Sequence, residues 1–164
     1  MTDRTLRRPM RVYADTSVFG GVFDEEFADA SRTFFEEVHS GRFEVLISTV
    51  VLDELRGAPE TVRRFYAELR PKIEVAELSE AALLLVREYI AAGIVGEKWR
   101  PDAQHVAMAT VGGCRAIVSW NFRHIVHFEK IPLYNGVNLS QGFGSLAIHT
   151  PQEMVHYEHE DENI

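Results

Sequence analysis

Phe43-Glu-Val-Leu-Ile-Ser48 passes without a break into Thr49-Val-Val-Leu-Asp-Glu-Leu-Arg56. The first run is β-rich and reads as a strand; the second reads as a helix that stops at Gly57-Ala-Pro59. A strand that hands the chain straight to a helix is half of a βα unit, and the alternation recurs on both sides. Toward the N-terminus, Arg11–Ala14 reads as a short strand ending at Asp15. Gly20-Gly21 reads as a turn, and Glu25–His39 has helical spacing (Phe27, Phe34, Phe35, Val38) with Gly41 as its stop. Toward the C-terminus, Glu60–Leu69 is a helix ended by Pro71, and Ile73–Val75 is a strand. Ser79 caps a helix to about Ala92 that Gly93 closes; Pro101 opens one that ends at Gly112-Gly113. Ala116–Ser119 and Ser145–Ile148 read as the last strands, and Thr150-Pro-Gln-Glu153 has the form of a capping box. Strands alternating with helices predict an α/β fold with a mainly parallel sheet covered on both faces.

The chain has 164 residues, enough for one domain with its own core. Hydrophobic residues make up 46% and charged residues 26%, a balance that argues against disorder. The expected domain spans 1–157, with an arginine-bearing lead over 1–10 and an acidic tail over 158–164 that frays. No apolar run approaches the roughly 18 residues a membrane span needs. Arg4, Arg7, Arg8 and Arg11 are not followed by the apolar stretch of a signal peptide, so a cytoplasmic location is expected. The single cysteine, Cys114, excludes a disulfide framework and a Cys-based zinc site. A formal net charge of −8 excludes a generally basic nucleic-acid binder; any such contact has to use a local patch.

Parallel sheets bind ligands outside the carboxyl ends of their strands, so the polar residues there are the candidates. Asp15 directly follows the first strand, where it also suits a helix N-cap. Glu54 lies on the helix after the second strand. At about 100° per residue, Val51, Leu52 and Leu55 form the buried face, Asp53 points to water, and Glu54 falls on the border. Asp102 sits in the first turn of the Pro101 helix, where an acid also complements the helix dipole. Asn121 follows the strand Ala116–Ser119 and suits a cap for a helix beginning at Phe122. Each is weak alone. Three carboxylates brought into one cleft repel one another unless a cation neutralises them. Oxygen ligands without cysteine suit Mg2+ or Mn2+, which activate water and stabilise a phosphoryl group in flight. The residues therefore point to metal-assisted phosphodiester hydrolysis.

Four segments, Val12-Tyr-Ala-Asp-Thr-Ser-Val-Phe19, Ser48-Thr-Val-Val-Leu-Asp-Glu-Leu55, Pro101-Asp-Ala-Gln-His-Val-Ala-Met-Ala-Thr110 and Ala116-Ile-Val-Ser-Trp-Asn-Phe-Arg-His-Ile125, together resemble the PIN-domain nucleases. They are most similar to the VapC-like toxins of toxin–antitoxin pairs. Each motif is short; the specificity comes from four in the right order, over about Val12 to Pro151. The resemblance implies a three-layer α/β/α sandwich and a Mg2+- or Mn2+-dependent endoribonuclease acting on RNA. It also implies a homodimer and inhibition by a small antitoxin protein. Asp15, Glu54 and Asp102 match the family's acidic metal ligands, and Thr16 or Ser17 matches the hydroxyl beside the first acid. Asn121 falls where many members carry a fourth acid, which puts a second metal in doubt.

Other polar and aromatic residues fall near these motifs. His105 lies one helical turn after Asp102, placed to touch substrate, to hydrogen-bond Asp102, or to be a packed core histidine. The pairs His124/His127 and His156/His159 lack a third zinc ligand. Arg56, Lys98, Arg100 and Arg123 fall near the motifs as candidate RNA contacts, and Trp120 and Phe122 flank Asn121; a solvated charge or a buried aromatic is the commoner role for any one of them. A haloacid-dehalogenase-type phosphatase would need a second Asp where Ser17 stands. A degenerate PIN domain that only binds RNA or protein is the non-enzyme alternative, favoured by Asn121 and opposed by the three retained acids.

Overall fold

The computed structural model describes residues 8–155. Most of the arginine lead, the acidic tail and the His156/His159 pair lie outside them. In chain order the elements are β1 (Met10–Ala14), α1 (Thr16–Gly21), α2 (Ala28–His39), β2 (Phe43–Ser48), α3 (Thr49–Leu55), α4 (Glu60–Leu69), β3 (Ile73–Ala76), α5 (Glu80–Ala91), α6 (Arg100–Val111), β4 (Ala116–Val118), α7 (Lys130–Ser140), β5 (Ala147–His149) and α8 (Pro151–Met154). Single 3-10 turns, Arg70–Lys72 and Glu97–Trp99, lead into β3 and α6.

The strands form one sheet in the order β3-β2-β1-β4-β5, and every neighbouring pair is parallel. Val12 sits opposite Val45 on one side and Ala116 on the other. Val12, Tyr13 and Ala14 of β1 and Ala116, Ile117 and Val118 of β4 are buried, as strands covered on both faces must be. α6 packs on β1 and β2 and carries α5, which carries α7, while α2 packs on β2 and carries α1 and α8. One hydrophobic cluster runs from β1 through Phe34, Leu46, Leu85, Val106 and Ile148. Among the described residues no helix is long and apolar enough to cross a membrane.

From β1 the chain winds outward through β2 to β3, then crosses back to β4 and β5. The connections on either side of β1 therefore diverge at its carboxyl end. That reversal leaves a crevice between β1 and β4, where α/β sheets place their ligands.

Several local readings hold and several do not. Ser79 caps α5 by accepting from Ala82 N–H, and Gly93, beyond its end, has the left-handed φ of 75° that favours glycine. Thr150 and Glu153 close both halves of the capping box on α8. Gly20 and Gly21, by contrast, make no turn: both lie inside α1. A Cβ on Gly21 would stand 2.6 Å from Ser31 Oγ and 2.7 Å from Trp120 Nε1, so that position is glycine for closeness of packing. Asn121 caps no helix, because the chain after it forms only turns as far as α7. α7 itself, with Pro132 and Gly136 inside it, carries no sequence signal of a helix. Its proline is tolerated because it sits in the first turn, where N–H groups lack a helical partner anyway.

Candidate active site

Asp15 takes the N-cap position of α1, yet its carboxylate makes no capping bond. Ser17 Oγ donates to Oδ1 at 2.5 Å and Ser119 Oγ donates to Oδ2 at 2.6 Å. Each hydroxyl is used twice, since Ser17 Oγ accepts from Trp120 N–H and Ser119 Oγ from Asn121 N–H, both at 2.9 Å. The two serines thus clip the end of β1 to the end of β4 through one carboxylate. Asp15 is only 3% exposed. Burial pushes its carboxyl above the ordinary range, against the downward pull of His105 and the two hydroxyls.

Ser48, at the carboxyl end of β2, accepts from Val50 N–H and so caps α3. This fixed start sets the phase of the helix: Val50, Val51 and Leu55 are buried, Leu52 is only half-buried, and Asp53 is exposed. Glu54 extends to where Thr16 Oγ1 donates to its Oε1 at 3.2 Å, and the same oxygen lies 2.5 Å from His105 Nε2. His105 is 2% exposed, and its Nδ1 lies 2.7 Å from the Tyr13 hydroxyl, itself 2.8 Å from Ser48 Oγ. His105 therefore hydrogen-bonds Glu54 rather than Asp102. Burial works to raise the Glu54 carboxyl, but the hydrogen bond and charge of His105, with the Thr16 hydroxyl, outweigh it and hold the pKa low.

Asp102 lies in the first turn of α6. Burial raises its carboxyl, opposed by the charges of His105 and His124 and by a hydrogen bond from the Asn121 side chain. Asn121 Oδ1 accepts from His124 N–H at 2.9 Å, so its amide joins the loop after β4 to the start of α6. Asp15 and Asp102 each feel the charge of Glu54, and all three acids feel His105.

A cavity of about 360 Å3 opens at this end of the sheet. Glu54, Asp102 and Asn121 line it from three different elements, and Lys98, Trp99, Pro101, Arg123 and His124 complete its wall. Asp15 does not reach the wall. Of the four candidate cations, Arg56 pairs with Asp53 and Arg100 with Glu97. Only Lys98 and Arg123 face the cavity. Trp120 is buried, stacked on Phe27 with centroids 4.2 Å apart and donating to Ser31 Oγ; Phe122 stays half exposed. A larger hollow of about 590 Å3 lies beside β5 along Ile148 and His149, where Glu153 is already spent on the α8 cap.

Among the described residues, no three His, Cys, Asp or Glu side chains are gathered tightly enough to cage a metal ion. The donor chemistry nevertheless fits Mg2+, which takes one or two carboxylates and completes its shell with water and substrate phosphate. Asp15 and Asp102 are two such carboxylates, both with a pKa raised by burial that no side-chain cation fully offsets.

Ser119, Tyr13 and Ser48 hold the acids, yet none stood out in the sequence. Ser119 carried a usable signal, being a polar residue at a strand's carboxyl end like Asp15 and Asn121. Tyr13 carried a weaker one, since a tyrosine inside a strand buried on both faces needs a partner for its hydroxyl.

No family model and no curated protein matches the chain. Solved structures do. A chain of VapBC2 from Rickettsia felis, bound to a DNA fragment from its promoter, is 16% identical with a TM-score of 0.58, covering 86% of this chain and 98% of that one. A chain of FitAcB from Neisseria gonorrhoeae is 12% identical with a TM-score of 0.54, covering 87% and 99%. A chain of FitAB bound to the IR36 DNA fragment gives 12% and 0.54, covering 90% and 99%. At such identities the likeness defines the fold: a PIN-like α/β/α sandwich around an all-parallel five-stranded sheet.

Proposed function

We propose that the chain is a Mg2+- or Mn2+-dependent endoribonuclease and the toxin of a toxin–antitoxin pair. The observation that carries this reading is the arrival of Glu54, Asp102 and Asn121 on one cavity at the carboxyl ends of the strands, with Asp15 within electrostatic reach. The fold shared with the VapBC2 and FitAB chains supports a small antitoxin protein as partner. The family resemblance adds a homodimer and an RNA substrate.

Asp15 and Asp102 are the residues that would hold the ion, with Glu54 beside them. Bound there, Mg2+ or Mn2+ would polarise the scissile phosphate and stabilise charge on the phosphoryl group in flight. Ser17 and Ser119 fix both oxygens of Asp15, so the carboxylate needs no reorganisation. Asn121 steadies Asp102. Glu54, ionised at neutral pH and held at one oxygen by Thr16 and His105, turns its other oxygen to the attacking water and accepts its proton.

The test is a thermal-shift titration with Mg2+ and Mn2+ beside cleavage of structured RNAs with either metal or with chelator. Metal-induced stabilisation and metal-dependent cleavage support the reading. RNA binding without cleavage under any metal would replace it with the degenerate module that Asn121 favours.

A further inference from the structure

Lys98 and Arg123 make no hydrogen bond or ion pair with any other described residue, although Glu54 and Asp102 line the same cavity. Both lie instead against the indole of Trp99, with Lys98 Nζ 5.2 Å and Arg123 Cζ 4.8 Å from the ring centroid. Trp99 is in turn backed by the His124 ring at 4.6 Å. His124 is 7% exposed, and neither ring nitrogen has a hydrogen-bond partner. In a chain of net charge −8, two cations parked on an aromatic platform and left without an anion are unusual company for two carboxylates.

We propose that Lys98 and Arg123, positioned by Trp99 over His124, form a clamp for a phosphodiester of single-stranded RNA adjoining the one that is cut. The inference rests on the nuclease reading for its substrate and goes beyond it by assigning the binding subsite. Cation–π contact holds the two charges at the cavity without neutralising them, so they remain available to a phosphate. The acids opposite would repel the same phosphate, which places it on the Trp99 side of the cavity. At about 360 Å3 the cavity is near the small end of ligand sites (~300–1,000 Å3) and takes about one nucleotide unit. A duplex, whose phosphates lie on a convex surface, does not enter it; a single strand that splays its nucleotides does.

The experiment is fluorescence anisotropy of a short labelled single-stranded RNA in chelator over a salt series, beside steady-state cleavage with Mn2+. The variants are K98Q/R123Q and W99L, with K72Q as a charge control at the opposite end of the sheet. Lys98 and Arg123 are exposed, so the double variant keeps the fold. The expected result is a salt slope shallower by about 0.7, from one lost single-strand phosphate contact, with affinity down about tenfold or more at low salt. KM rises while kcat changes little. W99L weakens binding in the same direction with both charges kept, W99F restores it, and K72Q matches the parent. A parent that binds and cleaves RNA while K98Q/R123Q shows an unchanged slope and KM overturns the clamp and leaves the nuclease reading standing. A parent that never cleaves but whose variant loses that slope upholds the clamp and removes the nuclease. A parent that binds no RNA overturns both.

Discussion

Glu54 Oε1 lies 2.5 Å from His105 Nε2, and the opposite nitrogen of that buried ring lies 2.7 Å from the Tyr13 hydroxyl. Nε2–H donates to the Glu54 carboxylate, while Nδ1 pairs with the Tyr13 hydroxyl, which Ser48 Oγ partners in turn. The half-exposed glutamate is thereby tied to a core that cannot shift without leaving polar atoms unpaired.

Tyr13→Phe orphans His105 Nδ1 and is expected to cost about 1–3 kcal/mol, read as a fall in denaturant midpoint. His105→Leu goes further. Without its hydrogen bond the Glu54 carboxyl rises toward the value burial alone would set. The acid limb of the pH–rate profile then moves to higher pH, whereas a purely structural role for His105 leaves that limb in place.

Asp15→Asn is expected to change how the stability of the metal-free protein depends on pH. Burial raises the folded pKa of Asp15 above its unfolded value, so the folded chain holds more protons between the two. Stability from this group is present below the unfolded value and falls as pH rises through the folded one. The variant lacks that fall with pH but leaves one serine hydroxyl without its carboxylate acceptor, so its Tm gains on the parent's as pH rises. Calorimetric scans at several pH values check it.

Ser119→Ala removes a hydroxyl that donates to Asp15 Oδ2 and accepts from Asn121 N–H. Both groups lose their partner at a buried position. A loss of about 1–3 kcal/mol is expected, together with a drop in kcat rather than a rise in KM, because the binding wall is untouched. Chemical denaturation and steady-state kinetics separate the two effects.

Asn121→Asp exchanges a donor to Asp102 for a like charge. The Asp102 carboxyl, already raised by burial, climbs further, and the metal-free fold loses about 1 kcal/mol. Divalent ions should bind more tightly to this variant, so the metal-induced shift in Tm exceeds the parent's. An equal or smaller shift would mean that position 121 does not face the ion.

The sheet was legible because its strands are short apolar runs between glycine, proline and capping residues. Phe43–Ser48 and Glu60–Leu69 fall where punctuation is densest and match residue for residue. Legibility failed where tertiary contact overrides local preference. Gly21 reads as a turn until Trp120 and Ser31 are seen pressed against its backbone. α7 hides behind Pro132 and Gly136. In the site, Asp15, Glu54, Asp102 and Asn121 were visible as polar residues at strand ends. Their supports were not, because nothing along the chain reports that Tyr13, Ser48 and His105 meet across three elements, or that Trp99 gathers Lys98 and Arg123. His105 shows the limit well: helical spacing put it beside Asp102, and the fold turned its ring toward Glu54 instead.

The most direct measurement is the single-turnover rate of RNA cleavage with Mn2+ for the parent and for Asp15→Asn, each checked for folding. The parent should cleave only when the metal is present, and the folded variant should lose about a hundredfold or more, the scale of removing one preorganised charge-stabilising group. Cleavage by Asp15→Asn at the parental rate, or cleavage by the parent undiminished in chelator, would contradict the account.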